Sequence, residues 1–381
     1  MTTYIYKMCT RCVMDTTDSQ IIFDDKGVCT HCHHFDTETS RHWFPNEEGS
    51  IKMMQIFKKI KEERKNFEYD CILGLSGGLD SSYLALVMKK YGMRPLVVHV
   101  DAGWNSELAV YNIEKVVKYC GYDLHTCVVN WPEIRDLQIA YLKAGVANQD
   151  VVQDHAFFAS LYHFAADNKI SYVISGGNIA TESVFPKSWH HSAMDAINLK
   201  AIHNKFGLLQ LKDYKTISFF QYYFYYPFIK KMKVIRPLNY IPYSKEAALA
   251  DLQDKVGYKE YGRKHGESRF TKFFQNFYLP KKFNIDKRKP HLSSMVLSGL
   301  ITREQALIEL AKPLYDENEL REDKLFLAKK LGISVEQLEE YVSSPGLSYS
   351  AYQNWDSIYK FMKYIQFRIS KILGSNVQYY S

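Results

Sequence analysis

No run of 18 apolar residues occurs in the 381-residue chain, which excludes a membrane-spanning helix. The first residues are polar or cysteine where the apolar core of a signal peptide would lie, so the expected location is the cytoplasm. Cysteine is sparse, at seven residues, and in a reducing compartment this argues against a disulfide framework. Close cysteine pairs then read as metal ligands. Neither G-x-x-x-x-G-K-[ST] nor G-x-G-x-x-G marks the glycine-rich loop, which argues against a Walker-type NTPase and a dinucleotide fold of the usual kind.

What the chain does have is Tyr69-Asp-Cys-Ile-Leu-Gly-Leu-Ser-Gly-Gly-Leu-Asp-Ser-Ser82. An apolar, β-favouring run stops at Ser76-Gly77-Gly78 and an apolar-periodic segment follows, so the glycines fall where a strand becomes a helix. Adjacent glycines let backbone N–H groups approach an anion, the helix adds its positive end, and Ser76, Ser81 and Ser82 add hydroxyl donors. Asp80 would repel phosphates unless a bound Mg²⁺ bridges them. This Ser-Gly-Gly-x-Asp-Ser loop after a strand resembles the PP-loop of the ATP pyrophosphatases, which cleave ATP between the α and β phosphates.

Downstream, Pro95–Asp101 reads as a second strand, Asn105–Cys120 as a helix, Leu124–Asn130 as a third strand, and Pro132–Ala144 and Asp154–Asn168 as helices. Ser171-Tyr-Val-Ile-Ser-Gly-Gly-Asn178 supplies another strand ending in glycines, placing Gly176, Gly177 and Asn178 where two strand ends can converge on one nucleotide. Val234–Leu238 reads as the fifth strand. The alternation predicts an α/β fold, a doubly wound parallel sheet with ligands at the carboxyl ends of its strands. Asp101 falls on that edge, either facing the nucleoside or closing a βα turn.

Cys9-Thr-Arg-Cys12 and Cys29-Thr-His-Cys32 are separated by sixteen residues, fitting the zinc-ribbon spacing, with Asp24-Asp25-Lys26-Gly27 as a hairpin turn between them. Four thiolates would saturate Zn²⁺, so the site reads as structural. Residues 1–48 form this ribbon and linker, 49–255 the PP-loop domain, interrupted at about 181–233, and 256–381 a basic segment and a small α-helical C-terminal unit. The interruption holds eight aromatics between Phe219 and Phe228, which suit a buried helix, an interface or a sugar-stacking surface. Between Lys255 and Pro290 there are eleven basic residues against three acidic ones, a concentration that favours contact with phosphates or nucleic acid.

The order Cys₄ ribbon, Leu-Ser-Gly-Gly-Leu-Asp-Ser-Ser, His-Val-Asp-Ala-Gly-Trp-Asn, Ile-Ser-Gly-Gly-Asn, Ile-Arg-Pro-Leu and Lys-His-Gly-Glu-Ser-Arg-Phe-Thr resembles the N-acetyl sugar amidotransferases, from Cys9 to roughly residue 310. The resemblance implies a bacterial surface-glycan enzyme of the O-antigen, LPS or flagellin-glycan type. It turns the acetamido group of an N-acetylated nucleotide-sugar into an acetamidino group by O-adenylation with ATP, releasing AMP and pyrophosphate. Glu267 is then a candidate second Mg²⁺ ligand or proton acceptor, and Lys281 or Lys282 a candidate cation for the departing pyrophosphate. Position 2 is not cysteine, and Cys71, Cys120 and Cys127 lack a glutaminase elbow. Ammonia is therefore expected from a separate glutaminase subunit resembling that of imidazole glycerol phosphate synthase, with a cyclase-like subunit as a further partner. The alternative is a PP-loop tRNA-modifying enzyme that thiolates or aminates a base. Against it, the one cysteine near the loop, Cys71, precedes it on a strand, and nucleic acid is not the expected partner.

Overall fold

The computed structural model describes residues 6–261 and 268–373. Five strands, β1 (Cys71–Gly74), β2 (Pro95–Asp101), β3 (Leu124–Val128), β4 (Tyr172–Ile174) and β5 (Lys233–Ile235), form one sheet in the order β3-β2-β1-β4-β5. Every pairing is parallel, with Cys71 opposite Pro95, Ile72 opposite Val173, and Val97 opposite Leu124. The apolar runs of β1, β2 and β4 are buried on both faces, as a doubly covered parallel sheet requires. Cys71, Leu73 and Val97 pack on one helical layer, and Ile72, Val98 and Val100 on the other. Truncating a fully buried member such as Leu73 to alanine would cost about 2–5 kcal/mol.

The chain moves outward from β1 to β2 and β3, then crosses back to place β4 on the opposite side of β1. That reversal makes the carboxyl ends of β1 and β4 the topological switch point, where open parallel sheets bind ligands. The crossover from β3 uses two helices, Trp131–Ala144 and Val151–Asp167. The second begins three residues before the start that the sequence suggested, which puts Asp154 in its first turn. β5 stops at Ile235 because Pro237 opens a 3₁₀ turn, Pro237–Tyr240, instead of extending the strand.

The N-terminal ribbon is not a detached lobe. Its four cysteines share a core with Trp189 of the 181–233 interruption and with Phe270, Phe273 and Leu327 of the C-terminal region. Arg303 donates to the carbonyls of Cys9 and Cys12, Ser188 to Asp18, and Lys289 pairs with Asp15. In the C-terminal region, helices Arg303–Ala311 and Val335–Ser343 start at capping boxes, Thr302 with Gln305 and Ser334 with Gln337. The aromatic run forms a π-helix, Gln221–Ile229. Tyr226 is buried, Phe219, Tyr222 and Tyr223 pack on Trp355, and Phe220 and Phe228 remain about 60% exposed at 58% and 61%.

Candidate active site

The glycine loop closes over its own hydrogen bonds and leaves its helix end open. Ser76 Oγ accepts from Gly78 N–H at 3.2 Å, and Ser81 Oγ donates to the Gly78 carbonyl at 3.2 Å. Gly77 takes φ +84°, and a Cβ there would meet the Ala109 carbonyl oxygen at 2.8 Å, so glycine is required twice over. Its carbonyl accepts from Tyr258 at 3.1 Å and Tyr261 at 3.0 Å, which fixes the orientation of the peptide. Gly78 begins helix Leu79–Lys90 without any side-chain cap. The first N–H groups of a twelve-residue helix are therefore available to an anion.

The β4 end converges on the same point. A Cβ on Gly176 would lie 3.2 Å from Ser81 N, so the second glycine pair rests directly on the start of that helix. Asn178 caps the short helix Ile179–Glu182 by accepting from Thr181 N–H at 3.0 Å, and its Nδ2 reaches Asp80 Oδ2 at 3.5 Å. Asp80 Oδ1 accepts from the Tyr243 hydroxyl, and burial together with the Asp80 charge pushes that phenol well above its usual range. Tyr243 thus stays a donor and fixes the carboxylate. With Glu182 beside Gly177, the oxygen-rich corner at Asp80 fits a hard divalent cation.

Ser76, Gly78, Asp80, Ser81, Gly176 and Gly177 line one continuous cleft of about 3400 Å³, room for a nucleotide and a second ligand. Ser82 is different: it is fully buried, its hydroxyl has no partner among the described residues, and it faces the core side of the helix rather than the cleft. Asp101 takes the turn role, accepting from Gly103 N–H at 2.8 Å and from Asn105 Nδ2 at 3.1 Å. The group on β2 that does reach the cleft is His99. Its Nδ1 donates to the Leu75 carbonyl at 2.9 Å, leaving Nε2 to accept from Asn105 at 3.0 Å, so the ring braces the loop from below.

Lys281 and Lys282 do not join the site. Lys282 Nζ donates to the carbonyls of Tyr341 at 2.8 Å and Ser344 at 2.6 Å, neutralising the end of helix Val335–Ser343, and Lys281 is exposed away from the cleft. Arg236 stands in the cleft instead, with Nε 3.8 Å from where a Gly177 Cβ would be. Glu267 lies outside the described residues. Much of the basic segment is consumed internally: Arg269 and Lys272 pair with Asp323, Arg288 with Asp286, and Lys289 with Asp15.

The cysteine cluster is a separate site. Cys9 and Cys32 Sγ are 3.7 Å apart, and Cys29 Sγ is 3.6 Å from both Cys12 and Cys32. Tetrahedral bonds of about 2.3 Å would space sulfurs roughly 3.8 Å apart, so the four thiols match a bound ion. Backbone N–H groups of Arg11, Cys12 and Cys29 all point at Cys9 Sγ, favouring its thiolate.

Residues 267–366 match the family model described as LPS biosynthesis protein WbpG-like, C-terminal domain. The matched segment supplies Ser268, Thr271, Lys287, Arg288 and His291 to the lining of the cleft. No curated protein matches the chain in sequence. Among solved structures it is similar to NMN synthetase from Francisella tularensis, at 11% identity and TM-score 0.33, covering 79% of this chain and 97% of that one. It is also similar to the NH3-dependent NAD synthetase from Campylobacter jejuni in complex with the nitrate ion, at 14% identity and TM-score 0.32, covering 79% and 98%. The fold assignment stands on the strand order and the loop: a five-stranded parallel α/β sheet with a glycine loop at its switch point, followed by a helical C-terminal region that includes the matched residues 267–366.

Proposed function

We propose that the protein is an ATP-dependent, AMP-forming amidotransferase that converts the acetamido group of an N-acetylated nucleotide-sugar to an acetamidino group, in bacterial LPS or O-antigen biosynthesis. The observation that carries this reading is the pairing of an intact Ser-Gly-Gly-Leu-Asp-Ser loop at the switch point with a WbpG-like segment lining the same cleft. Ammonia from a separate glutaminase subunit is part of the proposal.

An amide carbon resists ammonia because its oxygen leaves poorly. The amide oxygen attacks the α-phosphate, pyrophosphate departs, and the oxygen then leaves as AMP. The side-chain-uncapped start of helix Leu79–Lys90, with the Ser76 and Ser81 hydroxyls, would hold the departing pyrophosphate. Arg236 would neutralise its charge in the role first considered for Lys281 and Lys282. Mg²⁺, when bound at Asp80, supplies further charge neutralisation on the phosphates. The ribbon cysteines would hold Zn²⁺ structurally.

The test is release of AMP and pyrophosphate from ATP across a panel of N-acetylated nucleotide-sugars with ammonium salt. Release that requires both acceptor and ammonia supports the reading. ATP turnover indifferent to any N-acetyl sugar, or stimulated only by RNA, would overturn it.

A further inference from the structure

Helix Val151–Asp167 immediately precedes β4, so its N-terminal turn opens at the carboxyl edge of the sheet. Its position against β1 is fixed by Phe157, whose ring tip lies 2.7 Å from where a Cβ on Gly74 would be. Gly74 is the last residue of β1, just before the loop. Asp154, one turn nearer the helix start, therefore projects past the strand end, and it lines the same cleft as Ser76, Asp80 and Gly176.

Two carboxylates occupy that turn, and their surroundings differ. Asp150 Oδ1 accepts from Gln153 Nε2 at 2.6 Å and from Thr271 Oγ1 at 3.1 Å, so it is tied to the WbpG-like domain. The Asp154 N–H donates to the Asp150 carbonyl at 2.9 Å, while its carboxylate has no hydrogen bond or ion pair among the described residues. Burial and the neighbouring Asp150 push its carboxyl up to about 8, with Lys287 opposing. Lys287 is itself set in place: its Nζ donates to His190 Nε2 at 2.5 Å, and His190 stacks on Phe185 with centroids 4.2 Å apart. Burial and the Lys287 charge hold His190 far below its usual range, so it remains an acceptor. A carboxyl raised toward the working pH, on the wall of a cleft, is suited to acid–base work.

We propose that Asp154 is the base that takes a proton from ammonia as ammonia adds to the adenylated amide, with Lys287, held by His190, as the cation facing it across the cleft. This rests on the amidotransferase reading and deepens it. Attack of the amide oxygen on the α-phosphate leaves an O-adenylated imidinium carbon. Ammonia forms the C–N bond, the π electrons move to the sugar nitrogen, and the new nitrogen carries a positive charge. Asp154 accepts one of its protons. The freed lone pair then forms the C=N bond, the C–O bond breaks, and AMP leaves with that electron pair, giving the amidinium. The proton on Asp154 passes to solvent. A base of this kind works best when its proton affinity lies near the working pH.

The experiment separates the two half-reactions in the full-length protein. Acceptor-dependent exchange of labelled pyrophosphate into ATP reads adenylation, and amidine formation against ammonium concentration reads the second step. Asp154→Asn should keep exchange within about threefold of wild type while amidine formation falls roughly a hundredfold. Asp154→Glu should recover part of the loss, and hydroxylamine, a weaker base whose adduct sheds its proton readily, should narrow the gap. Equal loss of exchange and amidination in Asp154→Asn would overturn the proposal in favour of a nucleotide or metal ligand. Undiminished amidination would overturn it as well. Wild-type protein without acceptor-dependent exchange would overturn the amidotransferase reading first, and this proposal with it.

Discussion

Asp80 is held by Tyr243 on one oxygen and approached by Asn178 on the other, in the first turn of the helix that follows the glycines. Removing it leaves the loop backbone intact but takes away the carboxylate of the oxygen-rich corner. Asp80→Ala should therefore lower pyrophosphate release roughly a hundredfold or more, with metal content and circular dichroism unchanged. Asp154 makes a different prediction, on stability. Its native carboxyl is raised from 3.8 to about 8, so the folded state prefers the protonated form, and stability is lost as pH rises from about 4 to about 8. Asp150, Lys287 and the buried Tyr214 are the titratable neighbours coupled to it. Asp154→Asn should raise the melting midpoint by a few degrees at pH 8 and little at pH 4.5. The place of the loop between β1 and its helix was legible in sequence, because adjacent glycines mark the point where an apolar strand turns into a helix. Lys281 and Lys282 were not, since a flexible lysine takes whatever carbonyls the tertiary fold presents. His99 did leave a signal, a histidine inside an otherwise apolar strand, and it passed unread. Asp154 was hidden by a helix start placed at that very residue.

The helices that carry the site also carry its weak points. Helix Val151–Asp167 holds the 181–233 interruption through His155, whose Nδ1 donates to the Ala193 carbonyl at 2.8 Å while Nε2 accepts from Ile217 N–H at 3.0 Å. Burial lowers His155 from 6.5 to about 4, so it is neutral in the fold. A depressed histidine contributes stability that is present above 6.5 and falls away as pH drops from there toward 4. Hydrogen exchange at pH 4.5 should show early opening of the segments around Ala193 and Ile217, while β1 and β2 stay protected. Protection in those segments unchanged between pH 7 and pH 4.5 would contradict this. Strands β1, β2 and β4 were readable from their apolar runs, because burial on both faces leaves no polar alternation to confuse them, whereas the edge strands β3 and β5 are largely exposed. The π-helix was not readable: eight aromatics in ten positions fix a hydrophobic surface but not its hydrogen-bond register.

At the scale of the whole molecule, the ribbon, the interruption and the C-terminal region share one apolar core, so the cysteine cluster and the cleft lining are mechanically joined. Stripping the metal with a strong chelator, or making Cys9→Ser, should lower the melting midpoint by at least about 5 °C and open the WbpG-like domain to protease. A variant free of metal that kept both its midpoint and its protease resistance would remove the structural role. Sequence spacing identified the ribbon but gave no hint of where it docks, because Val13, Asp15 and Asp18 reach partners 280, 274 and 170 residues away. Val13 N–H reaches Ser293 across 280 positions, and the Cys9 carbonyl reaches Arg303 across 294. The consequence falls on synthesis. At about 5–20 residues per second, the ribbon waits at least roughly 15 seconds for Arg303 and the surface around it. During that interval the cysteine knuckles have only their own turns, and a captured ion, to hold them together. Metal supply to the nascent chain would then set how much of it reaches the folded state, whatever the affinity of the finished protein.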